Sequence, residues 1–354
     1  MSIMAEIVRD RRARIAREGV SLGHPLPEHR EVPLVPFGRA PFVICEIKRR
    51  SPSRGTIASG LDAPEQASLY AGLGARSVSV LTEEDHFSGS LADLIAVKRT
   101  NPELCVLRKD FLLSTEDIEV SYLAGADAVL LIAGILDKET LTAMYARATA
   151  LGMSCLVEVH TPEEVEKVAS VRPEFTGINA RDLRNFSVDL TLPLALKPRI
   201  GWTTKLVFES GIHSMEHAAF AAGNGFAGIL VGEAVVRNPD LIRELIQGLE
   251  ESRGAFWSRL YTGKATDRPL VKICGLTNAT DAKAADDLGA DLLGFIFAPS
   301  KRRVEPGAVR RIGATRAQKI GVVVVDDASP ALDPDVLRLL EEGILDAVQF
   351  HGNE

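Results

Sequence analysis

Three glutamates and two lysines stand near the ends of short apolar runs in the first 235 residues. Glu46 and Lys48 close FVICEIK (42–48), Lys109 closes LCVLRKD (104–110), Glu158 closes SCLVEVH (154–160) and Glu209 closes KLVFESG (205–211). Asn179 occupies the same place in FTGINAR (175–181). In an extended chain, residues i and i+2 share a side. Glu46 then points with Lys48, Lys109 with Leu107, Glu158 with Leu156, Asn179 with Arg181, and Glu209 with Val207. A charge aimed into a core costs several kcal/mol unless it is paired, and these acids and lysines can neutralise one another. A structural ion-pair network is the plainer reading. Five ionisable groups at the tops of four strands point instead to proton-transfer chemistry, which needs opposed acids and bases with shifted pKa values.

The elements that must position these groups follow from the same runs. SVSVLTE (77–83), AVLLIAG (128–134) and AGILVGE (227–233) complete a series of eight strand candidates. Each is followed by an amphipathic stretch of helical length, such as 62–74, 114–126, 137–152 and 161–170. Several of these open with Asp, Ser or Thr and end near Gly, as helix capping asks. Alternating strands and helices give parallel βαβ units. Eight of them predict an α/β fold, a closed (β/α)8 TIM barrel whose site lies at the C-terminal ends of the strands.

In such barrels the loops after strands seven and eight often hold a phosphate through backbone N–H groups. Ser210 and Gly211 follow the seventh run, and Gly232 and Glu233 the eighth. SPSRG (51–55), beginning at Ser51, follows the first and adds hydroxyls and cations. His213 and His217 stand four apart, but no HExxH or carboxylate companion fits a zinc site. No H-x-H marks the first strand, so a metal-dependent hydrolase is disfavoured. His160 reads as a hydrogen-bonded rim histidine.

The whole chain sets wider bounds. Its 354 residues allow one barrel and something smaller. A net charge of −7 argues against nucleic acid as a main partner. Four cysteines without C-x-x-C spacing read as reduced thiols. The N-terminus is too charged for a signal sequence, and no apolar run approaches the roughly 18 residues of a membrane helix. The expectation is a cytoplasmic protein with no membrane partner.

Before the first strand, Ile3, Ile7, Val8 and Ile15 form a helical stripe, and arginines 9, 11, 12, 14 and 17 read as its solvated face. The proline-bearing stretch from Pro25 to Pro41 cannot be regular helix and is expected to cross the barrel. After a last helix at 238–251 the expected organisation is a barrel with an N-terminal helical extension over 1–255, a linker over 256–268 and a second unit over 269–354. VKICGLT (271–277), DLLGFIF (291–297), KIGVVVV (319–325) and DAVQF (346–350) restart the strand pattern. They give a partial second (β/α) barrel of about four strands, with two open edges.

The motifs FVICEIKRRSPSRG, SVLTEEDHFSGSLADL, VLRKDF, CLVEVH, GINARDL, VFESGI and GILVGEA resemble, in order, the strand-end motifs of indole-3-glycerol phosphate synthase. The resemblance implies that 1-(2-carboxyphenylamino)-1-deoxyribulose 5-phosphate is closed to an indole, with loss of carbon dioxide and water and without a cofactor or metal. It makes Lys109 the general acid, and pairs Lys48 with the substrate carboxylate or gives it a share of the acid's work. Glu158 would serve the dehydration half. Glu46 and Glu209 would hold the lysines and polarise the substrate, which Asn179 would bind. Arg181, Ser51, Ser210, Gly211 and Gly232 would surround the carboxylate and phosphate, with Phe87 and Phe111 on the anthranilate ring. Glu233 departs from the small hydroxyl residue of many relatives. The other partners implied are further copies of the chain or other tryptophan-pathway enzymes.

The second unit resembles the N-terminal half of phosphoribosylanthranilate isomerase. VKICGLT carries that family's cysteine base at Cys274, with Lys272 on the same face, and SKRRVEP carries Arg302. The family pattern needs four more strands, including the one with its general-acid aspartate, so no isomerase activity is expected of these residues alone. An incomplete copy of a bifunctional enzyme is the second reading. A Schiff-base aldolase using Lys109 and a non-catalytic barrel are the outside ones.

Overall fold

The computed structural model describes residues 3–51, 55–182, 187–251, 256, 269–325 and 332–351. It divides into two compact units, residues 1–255 and 256–354. Most of the expected linker, and residues 326–331, lie outside the described residues.

The first unit is a closed barrel of eight parallel strands. They are β1 (Val43–Ile47), β2 (Ser77–Leu81), β3 (Cys105–Lys109), β4 (Ala128–Ile132), β5 (Ser154–Val159), β6 (Phe175–Asn179), β7 (Lys205–Glu209) and β8 (Gly228–Val231). Every apolar run of the series forms a strand, one to three residues shorter than the run because its polar end turns into a loop. Alternate side chains point inward, and Ile44, Leu107, Leu130, Leu156, Phe175, Val207 and Leu230 fill the barrel interior. The layer above them carries the polar groups, with Leu81, Ile132 and Gly177 between them. Asn179 pairs in register with Glu209, Leu81 with Lys109, Ile132 with Glu158, and Glu158 with Gly177. The chemistry therefore sits one layer above an apolar floor.

Capping holds the outer helices where the sequence put them. Asp62, Asp137, Thr161 and Ser214 each accept from a backbone N–H of the first turn behind them. Such a cap contributes about 1 kcal/mol. Ser114 and Asp117 form a full capping box at the start of the helix Thr115–Ala124.

Helix α1 (Ile3–Glu18) forms, and packs Ile3, Met4, Ile7 and Val8 against the inner cluster. Its arginines do not all face solvent. Arg11 is 3% exposed and donates to Asp110 and Asp117, each at 2.8 Å. Two buried carboxylates offset the cost of burying the guanidinium. They lie 99 and 106 residues away in sequence, so no local periodicity could show them. Arg14 likewise pairs with Glu84, whereas Arg9 and Arg17 are exposed as expected.

The irregular segment 25–41 crosses the opposite end of the barrel. Phe37 packs edge-on against Phe42 and Phe175, with ring centres 5.1 and 4.8 Å apart. Asp127 accepts from Arg30 and from Lys98, each at 2.7 Å, which ties that segment to the barrel floor.

In the second unit, β9 (Lys272–Cys274), β10 (Leu292–Ile296), β11 (Gln318–Val324) and β12 (Ala347–His351) form a parallel sheet in sequence order. Leu293, Phe295, Val309, Val336 and Leu339 are its buried core. Among the described residues, β9 and β12 are the sheet's edges.

Candidate active site

A cavity of about 540 Å³ opens at the C-terminal ends of the barrel strands. Glu46, Lys48, Lys109, Glu158, Asn179 and Glu209 all line it, together with Arg181, Ser210, Gly211, Gly232 and Glu233. Phe87 and Phe111 form part of its wall, with ring centres 6.2 Å apart and planes tilted by 36°. Leu81, Leu130 and Ile132 add apolar lining, and Val231 lines the cavity from β8. Ser51 adjoins residues 52–54, and its side chain lies outside the described residues.

The charged groups form one buried cluster. Lys48 Nζ is 2.5 Å from Glu46 Oε1, and Lys109 Nζ is 3.8 Å from Glu46 Oε2. Burial alone would raise the Glu46 carboxyl, but Lys48 and Lys109 outweigh it and hold Glu46 below the usual carboxylate range. Burial pulls the Lys109 ammonium down, and the charges of Glu46, Glu158 and Glu209 reverse that, so Lys109 stays protonated.

Glu209 behaves in the opposite way. Burial pushes it well above the usual carboxylate range, Glu158 pushes it further, and Lys109 only partly opposes them. No described donor reaches either Glu209 oxygen, and the side chain it faces is Glu158. With Glu209 pushed up and Glu46 held down, the cavity offers carboxyls of opposed tendency, as acid–base chemistry needs.

Two glycines make room for these groups. A Cβ on Gly177 would lie 1.9 Å from Glu209 Oε1. A Cβ on Gly232 would lie 2.5 Å from Glu46 Oε1 and 2.8 Å from Lys48 Nζ. Gly177→Ala is expected to displace the Glu209 carboxyl by an ångström or more and lower kcat by about 100-fold. The check is a comparison of kcat and melting temperature with the parent. A kcat within twofold would show that the close approach has no functional consequence.

At the other end, Ser210 and Gly211 adopt consecutive left-handed conformations, φ 68° and 80°. Ser210 carries a side chain in a region that costs about 1–3 kcal/mol, as strained functional turns do. Gly211 is required there, since a Cβ would meet Leu190 at 2.4 Å and Val188 at 2.8 Å. Glu233 opens a short helix (Glu233–Arg237) behind Gly232, and its carboxylate accepts from Arg237 Nε at 2.9 Å. That neighbouring cation offsets the negative charge which sets this residue apart. The Arg181 N–H donates to Asn179 Oδ1 at 3.0 Å, fixing the turn after β6.

Several residues of the site were not singled out in sequence. Leu81 and Ile132 occupy the same register layer as Lys109 and Glu158, a signal that was present in the strand alignment. Val188 and Ile212 enter through loops, where no period exists to read, and His213, weighed in the sequence only as a metal ligand, also lines the cavity. His217 Nδ1 accepts from the His213 N–H.

In the second unit the strand ends also gather polar groups. Arg302 donates to the Cys274 carbonyl at 3.2 Å, Lys272 bonds the Gln349 side chain, and Cys274 is exposed. A Cβ on Gly294 would fall 2.7 Å from Cys274 Sγ, so glycine there leaves space around the thiol.

Comparison with known proteins supplies the family. Residues 26–247 match the family model for indole-3-glycerol phosphate synthase, and residues 271–354 the one for N-(5'phosphoribosyl)anthranilate (PRA) isomerase. An indole-3-glycerol phosphate synthase of Geobacillus kaustophilus is 38% identical over 242 residues, covering 67% of this chain and 93% of the relative. A multifunctional tryptophan biosynthesis protein of Schizosaccharomyces pombe is 37% identical over 280 residues, or 77% of this chain. The match covers 36% of that relative, so the chain spans about a third of its length. A crystal structure of 3-hexulose-6-phosphate synthase from Salmonella typhimurium superposes with a TM-score of 0.50 at 16% identity. It covers 60% of this chain and all of that one, a likeness of fold alone. With its barrel, its collinear strand-end motifs and a match over most of the first unit, the chain belongs to the indole-3-glycerol phosphate synthase family.

Proposed function

We propose that residues 1–255 act as an indole-3-glycerol phosphate synthase, a carboxy-lyase that closes 1-(2-carboxyphenylamino)-1-deoxyribulose 5-phosphate to an indole. The observation that carries this reading is the buried cluster of two lysines and three glutamates between an aromatic wall and a glycine-lined turn. The anthranilate ring lies against Phe87 and Phe111. The phosphate lies at the Ser210–Gly211 turn and at Gly232, where backbone N–H groups can approach closely. Lys48 and Arg181 meet the substrate carboxylate, and Asn179 binds the substrate between these ends.

In the condensation, the ring carbon bearing the carboxylate attacks the ribulose carbonyl carbon. Lys109 gives its proton to the carbonyl oxygen as the new carbon–carbon bond forms. The carbon–carboxylate bond then breaks, carbon dioxide leaves, and its electron pair restores the ring. Dehydration follows. The hydroxyl leaves as water with a proton from the Glu158–Glu209 pair, and the nitrogen lone pair stabilises the cation. Loss of a proton from the neighbouring carbon to that pair completes the indole. Each step needs a donor or acceptor placed beforehand, which is what the cluster supplies.

Indole fluorescence after addition of the ribulose phosphate tests the reading directly. Absence of product from the folded chain would remove it. Lysine trapping by borohydride in the presence of substrate would favour the aldolase instead.

The match over residues 271–354 supports a second reading for the second unit, with Cys274 as an isomerase-type base and Arg302 beside it. With only the first four strands of that pattern, residues 1–354 are expected not to convert phosphoribosylanthranilate; turnover lost in Cys274→Ala would overturn that expectation and make the thiol the base. Turnover that survives the substitution would sink the thiol's role.

A further inference from the structure

Three acids in a row follow β2, and their side chains take different directions. Glu84 pairs with Arg14 and with His24, and Asp85 is half exposed, 3.7 Å from Arg14. Glu83 turns inward and is 4% exposed. It does not line the cavity, yet its carboxyl accepts three backbone N–H groups of the loop that does. Asp85 donates to Oε1 at 3.2 Å, while His86 and Phe87 donate to Oε2 at 2.8 and 3.0 Å.

That carboxyl takes the place of a main-chain partner. Among the described residues, no backbone carbonyl accepts the His86 or Phe87 N–H, and a donor left without an acceptor inside a fold is costly. The rest of the loop closes on the same strand end. The Gly89 N–H donates to the Glu83 carbonyl at 2.9 Å, and the Ser88 N–H to the Glu84 carbonyl at 3.1 Å. A Cβ on Gly89 would lie 2.3 Å from the Leu81 carbonyl oxygen, so glycine is what lets the chain pass there. Residues 83–89 thus form one turn wound around a single carboxyl, and Phe87 is its member that reaches the cavity. The next strand repeats the arrangement: Asp110, just beyond β3, accepts the Phe111 N–H at 2.8 Å. Each ring of the aromatic wall hangs from a backbone N–H that a buried acid holds.

We propose that Glu83 is a positioning residue for the aryl end of the substrate: by gathering the Asp85, His86 and Phe87 N–H groups it fixes the Phe87 ring opposite Phe111. This deepens the proposed synthase reaction and rests on that reading, which lays the anthranilate ring on the two phenylalanines. Glu83 acts through Phe87 and touches no reacting atom. Without its carboxyl the loop N–H groups turn to water, and the ring must be ordered again each time substrate binds. Glutamine replaces it in part, since it offers one acceptor oxygen and aims an amide N–H at the remaining donor.

The test is KM and kcat for the parent, Glu83→Ala, Glu83→Gln, Phe87→Ala and the two double variants. Inhibition by inorganic phosphate and amide hydrogen exchange of the full chain accompany it. Glu83→Ala is expected to raise KM about tenfold, the factor for one well-seated aromatic contact. Glu83→Gln, which keeps one acceptor oxygen, is expected to raise it about threefold. In the Phe87→Ala background both losses should vanish, because the ring through which Glu83 acts is gone. The inhibition constant of inorganic phosphate, which reads the other end of the cavity, should stay that of the parent. The Asp85, His86 and Phe87 amides should exchange faster in both Glu83 variants than in the parent.

Should Glu83→Ala fail to fold, the Glu83→Gln series decides by the same comparison. Losses that multiply with that of Phe87→Ala, a phosphate constant that weakens along with KM, or loop amides that exchange at the parent rate overturn the proposal. Exchange is read without substrate. A chain with no synthase turnover would therefore sink the proposed function, while the exchange rates still judged whether Glu83 holds the loop.

Discussion

Lys109→Ala is expected to lower kcat by about 100- to 10,000-fold, the usual contribution of one positioned general acid, with the barrel still folded. Lys109 ends β3 and points into the cavity above Leu107. It faces Glu46, Glu158 and Glu209, whose summed charge keeps it protonated despite its burial. On the proposed mechanism, deleting it removes the acid, and it also removes the cation these carboxylates share, so the remaining cluster must take up a proton or water. The loss should fall on kcat more than on KM, since the proton is transferred in the transition state and not in the ground state. Single-turnover indole fluorescence beside the parent, with far-ultraviolet circular dichroism to confirm folding, measures it. A kcat within tenfold of the parent would reassign the acid, and Lys48, 2.5 Å from Glu46, would be the next residue to examine.

The second large effect is on stability and comes from α1. Arg11→Met is expected to cost about 3–5 kcal/mol, because it strands buried carboxylates whose partner has gone. In a protein of this size that lowers the melting temperature by roughly 6–20 °C. Asp110 accepts from Arg11, from Arg108 at 2.9 Å, from Thr82 at 2.6 Å and from the Phe111 N–H at 2.8 Å. Losing the first of these loosens the bond that seats Phe111, so activity should fall with stability. Burial would raise Asp110, but Arg11 and Arg108 outweigh it and hold its carboxyl below the ordinary value. A depressed folded pKa gives stability that is complete above the unfolded value and lost as pH falls through the folded one. The variant should therefore lose less stability on acidification than the parent does. Thermal melts at pH 7 and pH 3, below the ordinary aspartate value of about 3.9, report both effects, and a melting temperature within 2 °C of the parent at pH 7 would show that the pairs carry no stability.

The contrast between these two residues shows where local pattern stops. Lys109 was legible because a strand of period two, ending in an ionisable residue, recurs along the chain. Arg11 sits in an arginine-rich helix whose pattern predicts solvent, and its carboxylate partners come from the β3 end and the helix after it. Helical periodicity assigns a face, but it does not say what covers that face. His160 lies between these cases: its place at a strand end was readable, but the Glu164 carboxylate that accepts its backbone N–H was not.

The sequence by itself determined the eight-strand barrel, the restart of the pattern in the second unit, the capping residues, and the polar groups of the cavity. These are repetitive, local or register-based features, and an α/β chain writes them into its hydrophobic period. Only the tertiary structure decided which carboxyl is pushed up and which held down, which arginine is buried, and why Gly177 and Gly232 have no side chain. All three depend on distances of a few ångströms between strands and helices far apart in the chain. Charge interaction and burial vary steeply over that range, so residue type and spacing leave them open.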